Sequence, residues 1–527
     1  MIIFTGQLDQ TEDAASLRQG RRLDHLLRTG LLVLLALVVF KCAWVGDDAF
    51  ISLRTVENLV EGRGLTWNAG ERVQVFTHPL WLLAVTGVRF VVQDGYWSLV
   101  LASLVATLAA LAMVFWRLAS SPATAALAAL ALAMSKWWVD YATSGLENPL
   151  LYLLAVLFVA VWSRRNRKGS GVSSGAENNI LLLTLITALA AMTRADSVLL
   201  FGPPLMWRAA GLGRLAWRPL LTGMLPLILW EIFSVVWFGF PVANTAYAKL
   251  DTGLSATLLA GQGLRYLDYS VKADPVLGLT LVAGAAVMLR RPRADLAFLI
   301  GQVLHLLYVV WIGGCFMGGR FLTLPFIFTV CLMARRPMPD PRLRWALAAG
   351  LGLALLVPGN PVTCSFDYSQ PEGWSGINDE RGYYFRTTGA WHRLDGDFEE
   401  HVWALEGRRA RARAIARNQQ GYRLIQNIGF FGYEAGPWIH VLGPYGLASP
   451  FLARLPVTPH PRYKSGWRIG HFYRDFPEGF KATIAADRNR LVDPALRRLY
   501  DDVQLVTRGP LFSRARWGAI WRLNTGQ

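Results

Sequence analysis

The sequence is poor in charged residues: Asp, Glu, Lys and Arg make up 17% of its 527 residues, whereas 53% are hydrophobic. The hydrophobic residues are not evenly spread. They lie in blocks of roughly 15–20 residues, about the length that crosses a ~30 Å hydrocarbon core. This distribution excludes a purely soluble globular protein. Residues 359–527 lack such blocks and are predicted to form a soluble domain.

Motifs for nucleotide chemistry are missing as well. There is no Walker loop, no Gly-rich dinucleotide loop and no zinc-ligand spacing, so the energy for any reaction must arrive with the substrate. Four cysteines are too few for a disulfide scaffold, and Cys315 and Cys364 could form one bridge or remain unpaired. The net charge of +17 does not indicate nucleic-acid binding, because no basic arm is present and much of the Lys and Arg flanks apolar segments.

The apolar blocks predict eleven membrane spans with a cytoplasmic N-terminus, since every strong basic cluster then lies in a cytoplasmic loop. The spans are 26–45, 98–118, 121–138, 147–163, 179–193, 196–208, 219–238, 275–290, 295–312, 319–334 and 342–358. Residues 1–25 form a cytoplasmic tail, and the domain 359–527 is extracytoplasmic and mixed α and β. The segment 78–92 is predicted as a juxtamembrane or re-entrant helix on the outer face. Trp137, Trp138, Trp237 and Trp311 are interpreted mostly as membrane anchors, with stacking on sugars as the alternative.

Two adjacent carboxylates, Asp47 and Asp48, follow the first predicted span. Carboxylates at a membrane surface are costly unless they are solvated, paired or bound to a cation. Repulsion between them can raise one pKa, which suits a general base that deprotonates a sugar hydroxyl. The alternative is an ordinary solvated helix end, and the spacing alone does not separate these interpretations.

More polar residues collect on the same predicted outer face. They include His78, Glu147, Arg194, Asp196, Asn244, Lys249 and Arg320. Cations such as Lys249 and Arg320, beside flexible glycines, suit a phosphate group near the outer leaflet. A water-filled cavity edge would have the same composition.

Several of these residues also have a structural interpretation. His78 is more often structural than catalytic in such a context, and Glu147 lies where a helix N-terminus stabilises a carboxylate. Arg194 and Asp196 could neutralise each other inside the membrane, although charges at that depth favour a functional role.

Taken in order, the motifs resemble the GT-C superfamily of integral-membrane glycosyltransferases, and within it the terminal β-arabinofuranosyltransferases. The motifs are GDDAFISLRTVENLVEGRGLTWNAGERV (46–73), FTHPLW (76–81), SGLENPLLY (144–152), TRAD (193–196), NTAYAKL (244–250), GGCFMGGRFLTLP (313–325), GYEAGPWIHVLGPYGLASPFLARLP (432–456) and WRIGHFYRD (467–475). The first and last are the most specific. The sequence departs from such relatives at Cys315 and near Gly443, where they carry acidic residues.

The resemblance implies a GT-C fold with an outer loop, 46–93, that carries the catalytic base, either Asp47 or Asp48. It further implies transfer of a sugar, D-arabinofuranose, from a polyprenyl-phosphate donor to an envelope glycan or surface protein, with inversion, outside a bacterial inner membrane. The residues expected to bind the donor phosphate are Arg54, Arg194, Lys249 and Arg320. Those expected to bind sugars are His78, Glu147, Asp196, Asn244 and His471. A divalent cation is left open.

Two other function classes remain alternatives. A transporter or flippase for a lipid-linked glycan would carry charges through the bilayer centre and on both faces. A non-catalytic envelope or motility protein would carry the acidic pair without using it. The clustering of charged motifs on one predicted face favours the enzyme.

Overall fold

The computed structural model describes residues 5–164, 172–250, 252–290, 293–338, 340–356, 359–363, 376–396, 399–460 and 467–526. Cys364, considered above as a bridge partner, lies outside these residues. So does the start of the glycine- and serine-rich stretch 169–175, which is predicted to be a flexible cytoplasmic loop. From Val172 onward that stretch is already helical.

The described part of the first 356 residues is built from sixteen α-helices. They are α1 (Thr5–Lys41), α2 (Asp47–Val60), α3 (Pro79–Val92), α4 (Gly95–Met113), α5 (Pro122–Met134), α6 (Lys136–Tyr141), α7 (Asn148–Trp162), α8 (Val172–Thr193), α9 (Val198–Ala210), α10 (Trp217–Phe238), α11 (Asn244–Lys249), α12 (Ala256–Ala273), α13 (Pro275–Leu289), α14 (Arg293–Trp311), α15 (Thr323–Ala334) and α16 (Pro341–Leu353). The predicted short segment before residue 92 is helix α3. It begins with Pro79, where the missing N–H would have no helical partner anyway.

Every predicted span contains a helix, but fewer of these helices meet the criteria for crossing a membrane. Within the described residues, five are long and apolar enough, or six if α12 and α13 form one span bent by 106°. Helix α12 is not among the predicted spans because Arg265, Asp268 and Lys272 interrupt its apolar residues. The chain is a multi-pass membrane protein, and the total of eleven spans stays a prediction.

Two tryptophan side chains of α6 are packed inside the protein. Trp137 and Trp138 are 1% and 0% exposed, so the interpretation of both as membrane anchors is wrong. The Trp137 indole N–H donates to the carbonyl of Ser270 at 2.8 Å, and the Trp138 ring stacks on Tyr152. These contacts fix α6 against α12 and α7.

The described C-terminal residues form eight helices and one small sheet. The helices are α17 (Glu380–Thr388), α18 (Ala390–Asp395), α19 (Val402–Ala416), α20 (Gly429–Ala435), α21 (Pro450–Ala453), α22 (Phe480–Ala486), α23 (Pro494–Arg508) and α24 (Arg514–Thr525). Strands β1 (Gly421–Leu424) and β2 (Ile439–Leu442) are parallel, with Gly421 opposite Ile439. Helix therefore outweighs strand more than the sequence interpretation expected.

Helix α20 packs directly on α2, and two glycines permit the close approach. A Cβ atom at Gly429 would lie 2.0 Å from the carbonyl oxygen of Asp47, and one at Gly432 would lie 2.6 Å from the Trp67 ring. Both positions exclude any side chain. The C-terminal residues are thereby held against the segment that carries the acidic pair.

Candidate functional site

A polar cavity of about 410 Å³, called the central cavity below, lies beside the start of α2. It is also bounded by the start of α3, the break between α8 and α9, α11 and the loop between α14 and α15. Its ionisable lining residues are Asp48, His78, Glu147, Arg194, Asp196, Glu231, Lys249, Tyr308, Cys315 and Arg320. The structure thus brings together seven of the eleven predicted site residues.

The two adjacent carboxylates at the start of α2 face different surroundings. Asp47 is buried, and its carboxylate oxygens accept the backbone N–H groups of Phe430 at 2.7 Å and Gly429 at 3.2 Å. Asp48 is half-buried, lines the central cavity and has no hydrogen-bond or ion-pair partner among the described residues. Neighbours on a helix point about 100° apart, which explains how one side chain is tied to α20 while the next reaches the cavity.

The protonation of Asp47 reflects its burial. Removal from water raises its pKa to about 7, an effect that exceeds the opposing one of the Phe430 and Gly429 hydrogen bonds. The negative charge of Asp48 adds to the increase. Asp47 is therefore partly protonated at neutral pH and is held in place by backbone groups.

Glu147 is the centre of a buried charge network on the opposite wall. Its carboxylate accepts two hydrogen bonds from Arg320, at 2.8 and 2.9 Å, and lies 3.5 Å from Arg194. The positive charges of Arg320 and Arg194 stabilise the buried negative charge of Glu147. The carboxylate is thus ionised and compensated.

Arg194 carries a second carboxylate partner. Its guanidinium donates two hydrogen bonds to Asp196, at 3.0 and 2.9 Å, and lies over the Phe321 ring. His305, which the sequence interpretation missed, lies 3.9 Å from the same carboxylate and contacts the Phe321 carbonyl at 3.0 Å. The sequence signal that could have identified His305 is an ionisable residue inside an apolar helix. The charges of Arg194, Arg320, Glu147 and Asp196 balance one another.

His78 connects the acidic helix to this network. Its Nε2 atom lies 2.7 Å from the hydroxyl of Ser52, one turn along α2 from Asp48, and its Nδ1 atom lies 3.4 Å from Glu147. Burial lowers the pKa of His78, so the imidazole is neutral at pH 7. It therefore orients the two walls relative to each other without adding charge.

Lys249 and Cys315 face the remaining part of the central cavity. Lys249 is half-buried and has no hydrogen-bond or ion-pair partner in the described ranges. Burial raises the pKa of the Cys315 thiol, so the thiol is neutral where related enzymes are expected to carry a carboxylate. Lys249 is consequently the cation on this wall whose charge no neighbouring carboxylate offsets.

Arg54 lies outside the central cavity. Its guanidinium is buried, donates to the carbonyls of Trp67, Gly432 and Ile439 at 2.9 Å each, and stacks on the Trp67 ring. Arg54 does not line the central cavity. The prediction that Arg54 binds phosphate therefore finds no support in this geometry, in which the guanidinium joins its own segment to the carbonyls of Gly432 and Ile439.

Asn244 and His471 are also placed away from the cavity surface. The Asn244 amide donates to the carbonyls of Gly446 and Leu447, at 2.7 and 2.8 Å, which ties α11 to the C-terminal residues. The half-buried His471 ring packs against Phe316. Neither residue lines the central cavity, so their expected contacts with sugar find no support in this geometry.

The described residues contain no cluster of three or more His, Cys, Asp or Glu side chains that would hold a metal ion. The carboxylates and guanidinium groups of Glu147, Arg194, Asp196 and Arg320 are instead paired, whereas Asp48, Glu231 and Lys249 have no such partner among the described residues. Such an arrangement can take up a hydroxyl group at the carboxylate and an anion at the ammonium group.

Comparison with known proteins gives two relatives by sequence. The terminal β-(1→2)-arabinofuranosyltransferase of Mycobacterium tuberculosis is 27% identical over 544 aligned residues, which cover 85% of this chain and 84% of that protein. The protein of the same name from Corynebacterium glutamicum is 30% identical over 332 residues, covering 55% of this chain and 47% of that protein. No family model matches.

Among solved structures, the chain overlaps with the crystal structure of ArnT from Cupriavidus metallidurans bound to undecaprenyl phosphate. The TM-score is 0.48 and the identity 13%, and the overlap covers 81% of this chain and 76% of that one. This overlap is too loose to define the fold.

The chain is a membrane glycosyltransferase: it combines several apolar helices with sequence similarity to glycosyltransferases along most of its length. Its resemblance to the terminal β-arabinofuranosyltransferases is confirmed. The enzyme hypothesis is thereby favoured over the transporter and the non-catalytic protein.

Proposed function

We propose that the protein transfers a pentofuranose, D-arabinofuranose, from a polyprenyl-phosphate donor to a hydroxyl of an envelope glycan or surface protein. The observation that carries the mechanism is the contrast at the start of α2. Asp47 is occupied by backbone N–H groups, while Asp48 faces the central cavity with no partner among the described residues. Asp48 is therefore the general base.

The reaction is a single displacement with inversion. Asp48 removes the proton of the acceptor hydroxyl as its oxygen forms a bond to the anomeric carbon of the donor sugar. The bond from that carbon to the phosphate oxygen breaks, and polyprenyl phosphate leaves with the electron pair. The proton ends on Asp48 and the additional negative charge on the phosphate.

The leaving phosphate is stabilised from the opposite wall. Lys249 supplies a charge that no carboxylate offsets, whereas Arg320 and Arg194 are shared with Glu147. Preorganised cations in a cavity with restricted water stabilise developing charge more strongly than water does. An apolar part of the wall, formed by Met192, Leu227 and Trp230, suits the prenyl chain.

The wider setting is part of the same proposal. The protein adopts the GT-C fold in a bacterial inner membrane, with its N-terminal tail cytoplasmic and residues 359–527 extracytoplasmic. The central cavity then opens on the outer side, as the distribution of basic clusters along the sequence supports. Lipid-linked donor and envelope acceptor meet there.

The decisive experiment is transfer by the purified protein in lipid nanodiscs, with farnesyl-phosphate arabinofuranose as donor and an octyl-linked arabinofuranose oligosaccharide as acceptor. Asp48→Asn should lower kcat by about 10²–10⁴-fold, because general-base catalysis is lost. The matched control is Glu61→Gln, an exposed carboxylate just after α2 that pairs with Arg63, which should transfer at the wild-type rate. Full transfer by a folded Asp48→Asn variant would refute the proposed base.

A further inference from the structure

The last described helix, α24, lies across one end of the membrane-spanning helix α10. The buried guanidinium of Arg516 donates to the carbonyl of Trp237 at 3.0 Å, and the side-chain amide of Asn524 donates to the carbonyl of Gly239 at 2.9 Å. Arg516 and Asn524 are separated by about 12 Å along a helix axis, yet both reach the residues that end α10. Helix α24 therefore crosses this end of α10 rather than running alongside it.

This end of α10 marks a boundary of the hydrocarbon core. The segment Gly213–Phe238 is long and apolar enough to cross a membrane. Near its end, Leu229, Ile232 and Phe233 are 62%, 57% and 39% exposed, and apolar side chains exposed along a membrane span face lipid. Because the apolar span ends at Phe238, α24 lies at the level of the lipid headgroups.

Helix α24 presents one face to the protein and another face outward. On the inner face, Ala519 is buried beside Val506 of α23, and the Arg522 guanidinium donates to Asp502 of the same helix at 3.0 Å. The outward face carries the exposed residues Arg514, Trp517, Trp521 and Thr525. Their spacing of three or four residues places them in one stripe along the helix, in which Trp517 is 37% and Trp521 62% exposed.

The two tryptophans lie on the side of α24 that adjoins α10. At about 100° per residue, Trp517 lies about 20° around the helix from Asn524, which contacts the end of α10. Trp521 lies about 40° further in the same direction. Arg522, which faces α23, is about 140° away from Trp517. The indole rings therefore extend the lipid-facing surface of α10 and are directed away from α23.

Aromatic residues beside an unpaired cation suit the boundary between headgroups and hydrocarbon. Tryptophan accumulates at this depth because its ring packs on acyl chains while its N–H reaches polar headgroup oxygens. The exposed Arg514 side chain has no hydrogen-bond or ion-pair partner among the described residues, and a guanidinium can bind a lipid phosphate through two hydrogen bonds. Phe512, 79% exposed just before α24, adds apolar area.

We propose that α24 docks the C-terminal residues on the surface of the bilayer in which the protein is embedded. Trp517, Trp521 and Phe512 enter the headgroup–acyl boundary, and Arg514 binds a lipid phosphate. This inference goes beyond the proposed function, since it holds whichever sugar is transferred. The same C-terminal residues pack on α2 through α20, so docking at α24 holds them at a fixed height relative to the acidic helix.

Fluorescence quenching in phosphatidylcholine nanodiscs tests this placement. The full chain is labelled with the dye NBD at Thr525→Cys, on the outward stripe, or at Ala495→Cys, an exposed position at the start of α23. Ala495 lies about 16 Å along α23 from Val506, and the unsubstituted protein gives the background from native cysteines. A nitroxide near the lipid headgroup should quench the dye at residue 525 at least about twofold more than the dye at residue 495.

A second variant tests the tryptophans themselves. Trp517→Gln combined with Trp521→Gln changes only exposed side chains, so the protein should fold, and quenching at residue 525 should fall towards that at residue 495. The matched control is Trp345→Gln, since Trp345 is 76% exposed on α16. This control should leave quenching at residue 525 unchanged.

Equal quenching at residues 525 and 495, or unchanged quenching in the double variant, would overturn the inference. Stronger quenching by a nitroxide at the end of the acyl chain would also overturn it, because α24 would then be inserted into the hydrocarbon. Shielding of the dye without lipid quenching, together with dimers in mass photometry, would assign this face to a second copy of the chain instead.

Discussion

The central cavity contains two kinds of charged residue, which differ in whether the protein itself neutralises them. Glu147, Arg194, Asp196 and Arg320 form a buried network of carboxylates and guanidinium groups at 2.8–3.5 Å. Asp48 and Lys249 have no such partners among the described residues. Paired buried charges cannot be removed singly without leaving an unpaired ion. The paired network therefore stabilises the structure of the cavity lining, and the unpaired groups are available to bind substrates.

The largest effect should come from breaking the paired network. Arg320→Gln leaves Glu147 with Arg194 alone at 3.5 Å, so the free energy of unfolding should fall by about 3–5 kcal/mol. The double variant with Glu147→Gln should recover much of that loss. Thermal unfolding in detergent micelles measures both.

The control for this variant is Lys272→Gln, which breaks an exposed ion pair with Asp268 and should cost at most about 1 kcal/mol. If Arg320→Gln unfolds at the wild-type temperature, the paired network does not stabilise the protein.

Substitution of Lys249, the unpaired cation, should weaken donor binding and leave stability unchanged. Lys249→Gln should leave thermal unfolding unchanged, because no protein contact is lost, but raise the donor KM about tenfold to a hundredfold, the range for one charge-assisted hydrogen bond. Lys249→Arg should retain most of the affinity. A loss of stability as large as that of Arg320→Gln would show that the distinction between paired and unpaired charges is wrong.

The effect of Asp47, the paired member of the acidic pair, is measured as a dependence of stability on pH. Since its folded pKa is raised from 3.8 to about 7, its contribution to stability is complete below pH 3.8 and is lost as the pH rises towards 7. Asp47→Asn should remove this decline, which cannot exceed about 1.4 kcal/mol per pH unit for one proton. Unfolding temperatures between pH 4 and 8 measure it.

Glu380 also has a raised pKa, of about 8. It therefore adds its own decline in the free energy of unfolding as the pH rises, over a pH range that overlaps with that of Asp47. The comparison is therefore made in a Glu380→Gln background. If the unfolding temperature depends on pH in the same way with and without Asp47, the pKa of Asp47 is not raised in the folded protein.

The sequence predicted much of this arrangement because its signals are local. Apolar blocks located the helices, and the charged motifs located seven residues of the central cavity. The role of Arg54 could not be predicted, since its partners are backbone carbonyls such as that of Gly432, which leave no mark in composition. The choice between Asp47 and Asp48 depended on α20, about 380 residues further along the chain. Helix α12 was not predicted as a membrane span because charged residues interrupt its apolar sequence pattern.

The long separation between Arg54 and its partners has a consequence for biosynthesis. Residues 46–73 leave the ribosome early, but the carbonyls that receive the Arg54 guanidinium and the Trp67 indole belong to residues 432–441. Until those are made, Arg54 has only the Trp67 carbonyl and the Asn68 side chain of its own segment as acceptors. The segment that carries the proposed base therefore reaches its final conformation only after residues 432–441 have been made, so a chain terminated before them would lack the site.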